Sequence, residues 1–120
     1  MMTPLRYAIT NDHTDAVRLL LTYGANVCYF NLQVAILKDN ADIVRLLIDA
    51  SLDINTIHIC SRTLLHIASY AGHYQIVEML IQAGANINMR DTCKDTPLTD
   101  AMNKGHYGVA GLLKKHGAHV

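Results

Sequence analysis

The sequence has no excess of either charge. Ten lysine and arginine residues balance ten aspartate and glutamate residues, so the formal net charge is zero. A neutral chain offers no electrostatic attraction for nucleic acid or for an anionic membrane, and we expect neither as a partner. Hydrophobic residues make up 51% of the chain and charged residues 17%, which predicts a globular domain and excludes a disordered one.

The sequence also lacks long apolar runs and a signal-type start. A charged residue or glutamine interrupts each apolar stretch after a few positions, so we expect no membrane insertion. The chain start shows no basic segment followed by an apolar one, which predicts no secretory signal. Three cysteines, an odd number, then favour free thiols in a reducing compartment. We therefore expect an intracellular protein of the cytoplasm, or alternatively of the nucleus.

The motifs of catalysis and cofactor binding are missing as well. The chain contains no Gly-x-Ser-x-Gly, no Gly-x-Gly-x-x-Gly and no phosphate-binding glycine loop. Its acidic residues stand singly at predicted helix starts and loops. Its histidines and cysteines do not show the Cys-x2-Cys or His-x3-His spacing of a zinc site. We expect no enzyme, no cofactor and no metal.

A repeat with a period of about 33 residues organises most of the chain. The stretch Thr-Leu-Leu-His at Thr63 has its counterpart one period later in Thr-Pro-Leu-Thr at Thr96. The counterpart one period earlier is Phe-Asn-Leu-Gln at Phe30. The Gly-Ala pairs at Gly84 and Gly117 are separated by the same interval. A fixed period of this length indicates a repeat architecture.

The first repeat is shorter than the others. Its Thr-Pro-Leu start at Thr3 lies closer to Phe30 than one period, so six residues are missing between the first two units. We assign one domain, residues 1–120, with repeats over about 1–29, 30–62, 63–95 and 96–120. The hairpin after the first repeat is expected to be a stub near residues 28–30.

The period, the Thr-Pro-Leu starts, the Gly-His pairs and the Gly-Ala-Asn turns together resemble the ankyrin-repeat family over essentially the whole chain. The resemblance implies an all-α solenoid of stacked helix-turn-helix units with projecting β-hairpin loops. It also implies that His66 is a structural histidine that bonds across the turn. Single positions depart from the family motif: Leu64 replaces its proline in the third repeat, and Thr99 replaces its histidine in the fourth. The second repeat lacks the Thr-Pro pair altogether.

Some local roles follow from the residues themselves. Thr63 is expected to cap the first helix of the third repeat, and Gly72 to end that helix in the left-handed conformation. Cys28 is expected to be a small buried filler. Cys60 and Cys93 occupy equivalent hairpin positions and are expected to be free thiols, because adjacent repeats are too far apart for a disulfide.

Two columns of the repeat alignment predict the last face of the stack. One column contains Ile67 and then Asp100, and the other contains Ile81 and then Lys114. Both columns turn from apolar to charged in the fourth repeat. We infer that both face the following repeat, so that Asp100 and Lys114 are exposed while Ile67 and Ile81 are buried.

The opposite edge has no such polar replacement. The chain opens at Thr3 with an interior-type repeat start, and its apolar residues Leu5 and Tyr7 lie in that repeat. Either the first two methionines cover this edge or a neighbouring molecule does. Repeat stacks without a polar cap tend to associate, so self-association through the N-terminal repeat edge is expected.

The resemblance implies a non-enzymatic module that binds a partner protein through its concave face and hairpin tips. The positions of this chain that match that face are Thr10, Asn11, Tyr29, Leu37, Lys38, Ile59, Cys60, Arg62, Tyr70, Ala71, Thr92, Cys93, Asp95, Asn103 and Lys104. Tyr70 and Arg62 are the predicted anchors, because tyrosine and arginine are enriched among binding hot spots.

Two other interpretations stay open. Ankyrin domains resemble known substrates of an intracellular asparaginyl hydroxylase, and Asn55 and Asn88 stand at the positions that match. Alternatively, these asparagines hold the hairpins through side-chain-to-backbone hydrogen bonds. The chain could also be a fragment of a larger ankyrin-containing adaptor or effector.

Overall fold

The computed structural model describes residues 3–50, 55 and 61–119. Over these residues the chain forms eight α-helices and no β-strand. In chain order they are α1 (Pro4–Thr10), α2 (Thr14–Thr22), α3 (Tyr29–Leu37), α4 (Ala41–Ala50), α5 (Leu64–Ala71), α6 (Tyr74–Gln82), α7 (Pro97–Asn103) and α8 (Tyr107–Lys115). Most of the predicted hairpin between α4 and α5, including Ile59 and Cys60, lies outside the described residues.

The helices belong to two compact units, Met1–Leu52 with α1 to α4 and Asp53–Val120 with α5 to α8. Helices this short are marginal in water by themselves, so each needs a packing partner. In the first unit α1 packs on α3 and α2 on α4. In the second unit α5 packs on α7 and α6 on α8. The stacking of helix pairs therefore builds the core of each unit.

Branched aliphatic side chains fill both cores. Those without measurable exposure in the first unit are Val17, Ile36, Ile43, Val44 and Leu47. Their counterparts in the second unit are Ile76, Val77, Leu80 and Leu113. Burying one such side chain contributes about 1.5–3 kcal/mol, so the apolar stripes of these helices account for the packing of each pair.

Threonine begins three of the four first helices of the repeats. The hydroxyl oxygens of Thr3, Thr63 and Thr96 each accept a hydrogen bond from the backbone amide three residues later, at 3.2 to 3.3 Å. Proline follows directly in α1 and α7, where its missing N–H has no partner to lose. The predicted cap at Thr63 is confirmed.

The remaining first helix, α3, begins differently. Cys28 is its N-cap, and the Cys28 amide donates to Asn31 Oδ1 over 3.0 Å. The helix thus begins at Tyr29, before the position that the period matches to Thr63, which is Phe30. The prediction that Cys28 is a buried filler is wrong, because this capping position leaves it exposed.

The connections between repeats differ in length. Only six residues, 23–28, separate α2 from α3, whereas fourteen, 83–96, separate α6 from α7. A tight turn closes the tip of the longer loop, where the Lys94 amide donates to the Asp91 carbonyl and the Asp91 amide donates to the Asp95 carbonyl. The longer loop can therefore carry side chains back to the preceding repeat.

The turn inside each repeat needs one residue with positive φ. Aspartate fills this position in the first unit, at Asp12 (φ 58°) and Asp39 (φ 56°), and glycine fills it in the second, at Gly72 (φ 78°) and Gly105 (φ 73°). Gly72 has a second constraint, since a Cβ there would lie 2.6 Å from the ring of His106. The predicted left-handed end of α5 at Gly72 is confirmed.

The predicted last face of the stack is wrong for Asp100. Asp100 is buried and pairs with Arg62, which directly precedes α5. The alignment column that contains Asp100 therefore faces the preceding repeat. The sequence analysis predicted that it faces the following repeat, so that prediction is wrong for this column. Lys114 is exposed as predicted, while Ile67 and Ile81 are only half-buried.

Candidate functional site

Five of the predicted binding residues belong to the first unit. Four of them lie where α1 and α3 end, and Tyr29 begins α3 at its other end. The four are Thr10, Asn11, Leu37 and Lys38. Leu37 is 56% exposed, which makes it the most apolar contact point of this group. Tyr29 stacks edge-on against Phe30 instead, with ring centroids 6.3 Å apart.

Asp12 joins the ends of the two first helices in this unit. Its carboxylate accepts a 3.2 Å hydrogen bond from Asn40 and lies 3.6 Å from the ammonium of Lys38. All of these groups lie at or near the surface, where water screens their interaction. The first unit thus offers a polar edge with one exposed leucine.

Eight predicted residues lie in the described part of the second unit. Five of them lie on or beside α5 and α7, and three lie in the loop between α6 and α7. The helical group is Arg62, Tyr70, Ala71, Asn103 and Lys104. The loop group is Thr92, Cys93 and Asp95.

Tyr70 is the centre of the helical group. Its side chain is 49% exposed near the end of α5. The ammonium of Lys104 lies 4.7 Å from the ring centroid, and the guanidinium carbon of Arg62 lies 6.0 Å from it. Both distances allow cation–π attraction. We call Tyr70, Lys104 and Arg62 the Tyr70 surface.

Arg62 is held in place by two buried carboxylates. Its guanidinium lies 2.7 Å from Asp91 Oδ2 and 2.8 Å from Asp100 Oδ2. The two carboxylate side chains are only 4% and 6% exposed. Arg62, Asp91 and Asp100 form a triad. The triad links the α6–α7 loop, the start of α5 and helix α7. Arg62 therefore supports Tyr70 from a fixed position.

The triad shifts the acidity of its members in different directions. Burial raises the pKa of Asp100, although Arg62 opposes this shift. Burial also opposes ionisation of Asp91, but hydrogen bonds from the Asp95 amide, from Arg62 and from the Cys93 amide outweigh it and lower the pKa of Asp91. The two carboxylates together raise the pKa of Arg62 despite its own burial. The guanidinium is therefore charged throughout the ordinary pH range.

His66 holds the α6–α7 loop near its junction with α7. Its Nδ1 accepts a 3.0 Å bond from the Thr63 amide, and its Nε2 lies 2.8 Å from the Asp95 carbonyl oxygen. Because a carbonyl can only accept, the proton is assigned to Nε2 in the neutral ring. His66 is fully buried. The predicted structural role of this histidine across the turn is confirmed.

Three further histidines stand where second helices begin. His13, His73 and His106 directly precede the second helices of their repeats, and none of them makes a side-chain capping hydrogen bond. The His106 ring lies against Gly72 instead. Among residues 3–50, 55 and 61–119, no three His, Cys, Asp or Glu side chains are grouped so that they could hold a metal ion.

Asn55 bridges its loop to the end of α6. Its amide nitrogen donates to the Gly84 carbonyl over 3.2 Å, and its Oδ1 accepts from the Asn86 amide over 2.7 Å. Both ends of the carboxamide are therefore used. This arrangement supports the interpretation in which the asparagine holds its hairpin.

Asn88 repeats the arrangement one period later. Its amide nitrogen donates to the Gly117 carbonyl over 3.2 Å, and its Oδ1 accepts from the His119 amide over 2.9 Å. We call these two bridges the asparagine clamps. Hydroxylation of Asn55 or Asn88 stays a prediction, and intact-mass analysis of protein from its native host would detect the added oxygen.

Asp91 and Asp100 are the site residues that the sequence reasoning missed. A signal for Asp91 was present, since the stretch Asp-Thr-Cys-Lys-Asp is typical of a turn held by its first aspartate. Asp91 Oδ1 accepts hydrogen bonds from the Cys93 and Asp95 backbone amides, each with an N···O distance of 2.9 Å. No comparable local signal marks Asp100, because its partner Arg62 lies 38 residues away.

Comparison with known families agrees with this geometry. A family model described as ankyrin repeats, in three copies, matches residues 32–120, and a model of a single ankyrin repeat matches residues 2–32. No curated protein matches the chain. Three copies and one agree with four repeats, and the predicted all-α fold class is confirmed. Within the described residues, no helix is both long enough and apolar enough to span a membrane.

Proposed function

Since this chain belongs to the ankyrin-repeat family, we propose that it is a non-enzymatic adaptor that binds a partner protein through the Tyr70 surface. The observation that carries the proposal is an exposed tyrosine ring that has both an exposed lysine and a fixed arginine within cation–π distance. Ankyrin repeats are in general protein-interaction modules, and this surface is the best-organised candidate in the second unit.

The chemistry of the Tyr70 surface suits a protein partner. A tyrosine ring supplies a rigid apolar face and a hydroxyl at little entropy cost. Lys104 adds a positive charge that a partner carboxylate can approach. The triad fixes Arg62 before any partner arrives, so little ordering is needed on binding. We expect the loop residues Thr92 and Cys93, which are exposed, to contribute at the rim.

The sequence analysis predicted that Arg62 anchors the partner directly, but in this proposal Arg62 positions Tyr70. Its guanidinium already pairs with Asp91 and Asp100, so it acts mainly by positioning Tyr70. A binding test that used Arg62 variants would mix lost affinity with lost stability. Tyr70 and Lys104 are therefore the residues to change.

The test compares two exposed tyrosines of the second unit. The immobilised chain is first used to capture a partner from its host, and the captured partner is then titrated by calorimetry against Tyr70→Ala and Tyr107→Ala. Tyr107 begins α8 and is well exposed, so it is a matched control. We expect Tyr70→Ala to weaken binding by about 1–3 kcal/mol and Tyr107→Ala to leave it unchanged.

Lysine variants give a second, smaller readout. Lys104→Gln should weaken the same binding by about 0.5–1 kcal/mol, and Lys115→Gln, in the last turn of α8, should not. Damage from Tyr107→Ala or Lys115→Gln with normal binding by the Tyr70 and Lys104 variants would place the partner on the second-helix side. That result would reject the Tyr70 surface.

The compartment is part of the same proposal. An odd number of cysteines favours a reducing environment, and Cys28 and Cys93 are free thiols. We therefore propose a cytoplasmic protein, and imaging of a tagged full chain in its host would test this.

A further inference from the structure

The most exposed charges of the second unit all have one sign. Among residues 55 and 61–119, Arg62 is half-buried and every other lysine and arginine is exposed. Asp91 and Asp100 are buried in the same residues, and Glu78 and Asp95 are half-buried, so no carboxylate there is fully exposed. The exposed cations are Arg90, Lys94, Lys104, Lys114 and Lys115. Although the whole chain is neutral, this unit presents positive charge to a partner.

The first unit has no such bias. Between residues 3 and 50, every charged residue of either sign is exposed. The carboxylates are Asp12, Asp15, Asp39, Asp42 and Asp49, and the cations are Arg6, Arg18, Lys38 and Arg45. Both signs therefore mix on the surface of the first unit. A partner that carries one sign of charge is attracted selectively only by the second unit.

The triad explains the bias of the second unit. Asp91 and Asp100 lie 2.7 and 2.8 Å from the guanidinium of Arg62, so two carboxylates are withdrawn from the surface by one cation. The lysines of the same region have no such role in the core and lie at the surface. Burial of the triad thus leaves an excess of exposed positive charge around the Tyr70 surface.

Direct contacts connect the tip of the α6–α7 loop to the Tyr70 surface. The Lys94 amide donates to the Asp91 carbonyl over 2.9 Å, and the Asp91 carboxylate holds Arg62. Arg62 and Lys104 both lie beside the Tyr70 ring. The ring stays 49% exposed although α7 packs on α5. Lys94 and Lys104 are therefore exposed cations of one connected region.

An acidic segment of a protein matches this region. Lysine ammonium groups attract carboxylates, and the ring of Tyr70 provides a flat face for an apolar side chain. An extended segment of about ten residues spans about 33 Å, so it can contact the loop tip and the ring at the same time. The hydrogen bond from Arg90 to the Lys94 carbonyl, at 3.0 Å, closes the loop tip before any partner arrives.

Nucleic acid fits the same region less well. Its affinity comes from many phosphate contacts, each of which needs a cation. The loop tip and the Tyr70 surface expose Arg90, Lys94 and Lys104, and the charge of Arg62 is already balanced by two carboxylates. A few cations around one aromatic ring suit a few carboxylates and an apolar side chain instead.

On the basis of the proposed function, we infer that the Tyr70 surface and the tip of the α6–α7 loop together bind an acidic segment of the partner protein. One carboxylate of the segment approaches Lys104 beside the Tyr70 ring, and another approaches Lys94. An apolar side chain between them lies against the ring.

The probe is a phage-displayed library of random linear peptides of about twelve residues, which span about 40 Å when extended. The immobilised full chain selects peptides from this library, and each selected peptide is then tested on Tyr70→Ala. Peptides that lose binding on this variant form the Tyr70-dependent set. We expect aspartate and glutamate to be enriched in this set, and lysine and arginine to be depleted, relative to the unselected library.

Calorimetry with one synthetic peptide of this set tests the two lysines. Lys94→Glu and Lys104→Glu should each raise the dissociation constant of the peptide about tenfold, because attraction becomes repulsion. Lys115→Glu changes the net charge equally but lies in α8, so this control should stay within about twofold. Raising the salt concentration from about 50 mM to about 500 mM should weaken wild-type binding. Circular dichroism checks that each variant folds.

The outcomes separate this inference from the proposed function. A Tyr70-dependent set without acidic enrichment, or no such set at all, overturns the inference and leaves the proposed function to the captured partner. Acidic peptides that bind Tyr70→Ala normally would reject both. Equal effects of Lys94→Glu, Lys104→Glu and Lys115→Glu would indicate general charge attraction and would also overturn the inference.

DNA of about twenty nucleotides, single-stranded and as a duplex, is titrated under the same conditions. We expect it to bind more weakly than the peptide. Tighter binding of either DNA, lost in Lys104→Glu, would assign the region to nucleic acid and overturn the inference.

Discussion

The two units use the same helix pairs but connect their repeats differently. In the first unit, a six-residue connection leaves the ends of α1 and α3 joined through Asp12, at the surface. In the second, a fourteen-residue loop returns to the preceding repeat and places Asp91 beside Arg62 and the Asp95 carbonyl beside His66. Helix packing with a few surface contacts therefore suffices to stack the two repeats of the first unit, whereas the longer loop of the second unit adds buried polar links.

The largest expected contrast concerns the two arginine pairs. Arg62→Ala leaves Asp91 and Asp100 buried without their cation, and it should lower the free energy of unfolding by about 3 kcal/mol. Arg18→Ala removes an exposed pair with Asp15 and should cost at most about 0.5 kcal/mol. Urea unfolding followed by circular dichroism measures both.

A rescue variant sharpens this contrast. Adding Asp100→Asn to Arg62→Ala removes one of the two unpaired charges and should recover part of the loss. Similar urea midpoints for Arg62→Ala and Arg18→Ala would show that the buried triad of the second unit adds nothing.

The next contrast transfers a residue from the first unit to the second. Gly72→Asp introduces the aspartate that the first unit uses at this turn, but its Cβ would meet the His106 ring. We expect a loss of about 2 kcal/mol from this crowding. Gly105→Asp has a similar φ and no neighbour within 4 Å, so it should cost only the left-handed conformation of an aspartate, about 1 kcal/mol.

The double variant Gly72→Asp/His106→Ala isolates the steric term. If the ring is the cause, removing it should make Gly72→Asp as mild as Gly105→Asp. Equal melting temperatures for the two single variants would mean that backbone conformation alone sets the cost at both turns.

The smallest contrast concerns the asparagine clamps. Asn88→Ala removes two hydrogen bonds to the end of α8 and should lower the free energy of unfolding by about 1 kcal/mol. Asn26→Ala, in the short connection of the first unit, should stay within about 0.5 kcal/mol. Hydrogen exchange at the His119 amide adds a local readout, because its protection depends on Asn88. Unchanged exchange in Asn88→Ala would contradict the clamp.

The sequence predicted the features that repeat, because each is set by local chemistry. The cap at Thr63, the positive φ at Gly72 and the bond across the turn at His66 all depend on residues close in the chain or on the period itself. The start of α3 was missed because Cys28 and Asn31 form a cap that the threonine pattern does not contain.

The features that break the period were harder to predict. Asp100 was expected to be exposed because a charge replaces an apolar residue in its column. The structure buries it because Arg62, 38 residues earlier, supplies the opposite charge. Such a pairing depends on where helix α7 and the start of α5 meet, which no single repeat specifies. The Tyr70 surface shares this origin, since Lys104 reaches Tyr70 from the next repeat.

The asparagine clamps also bear on how such a chain can grow by gene duplication. Asn55 and Asn88 are one period apart, and so are their acceptors Gly84 and Gly117. Each clamp takes its side chain from one repeat and its backbone from the next. A duplicated block of one full period would therefore bring a donor and an acceptor in register to both of its new junctions. Lengthening the array in such blocks needs no compensating mutation at the clamp, whereas inserting part of a period into the helices between donor and acceptor would shift the two halves relative to each other.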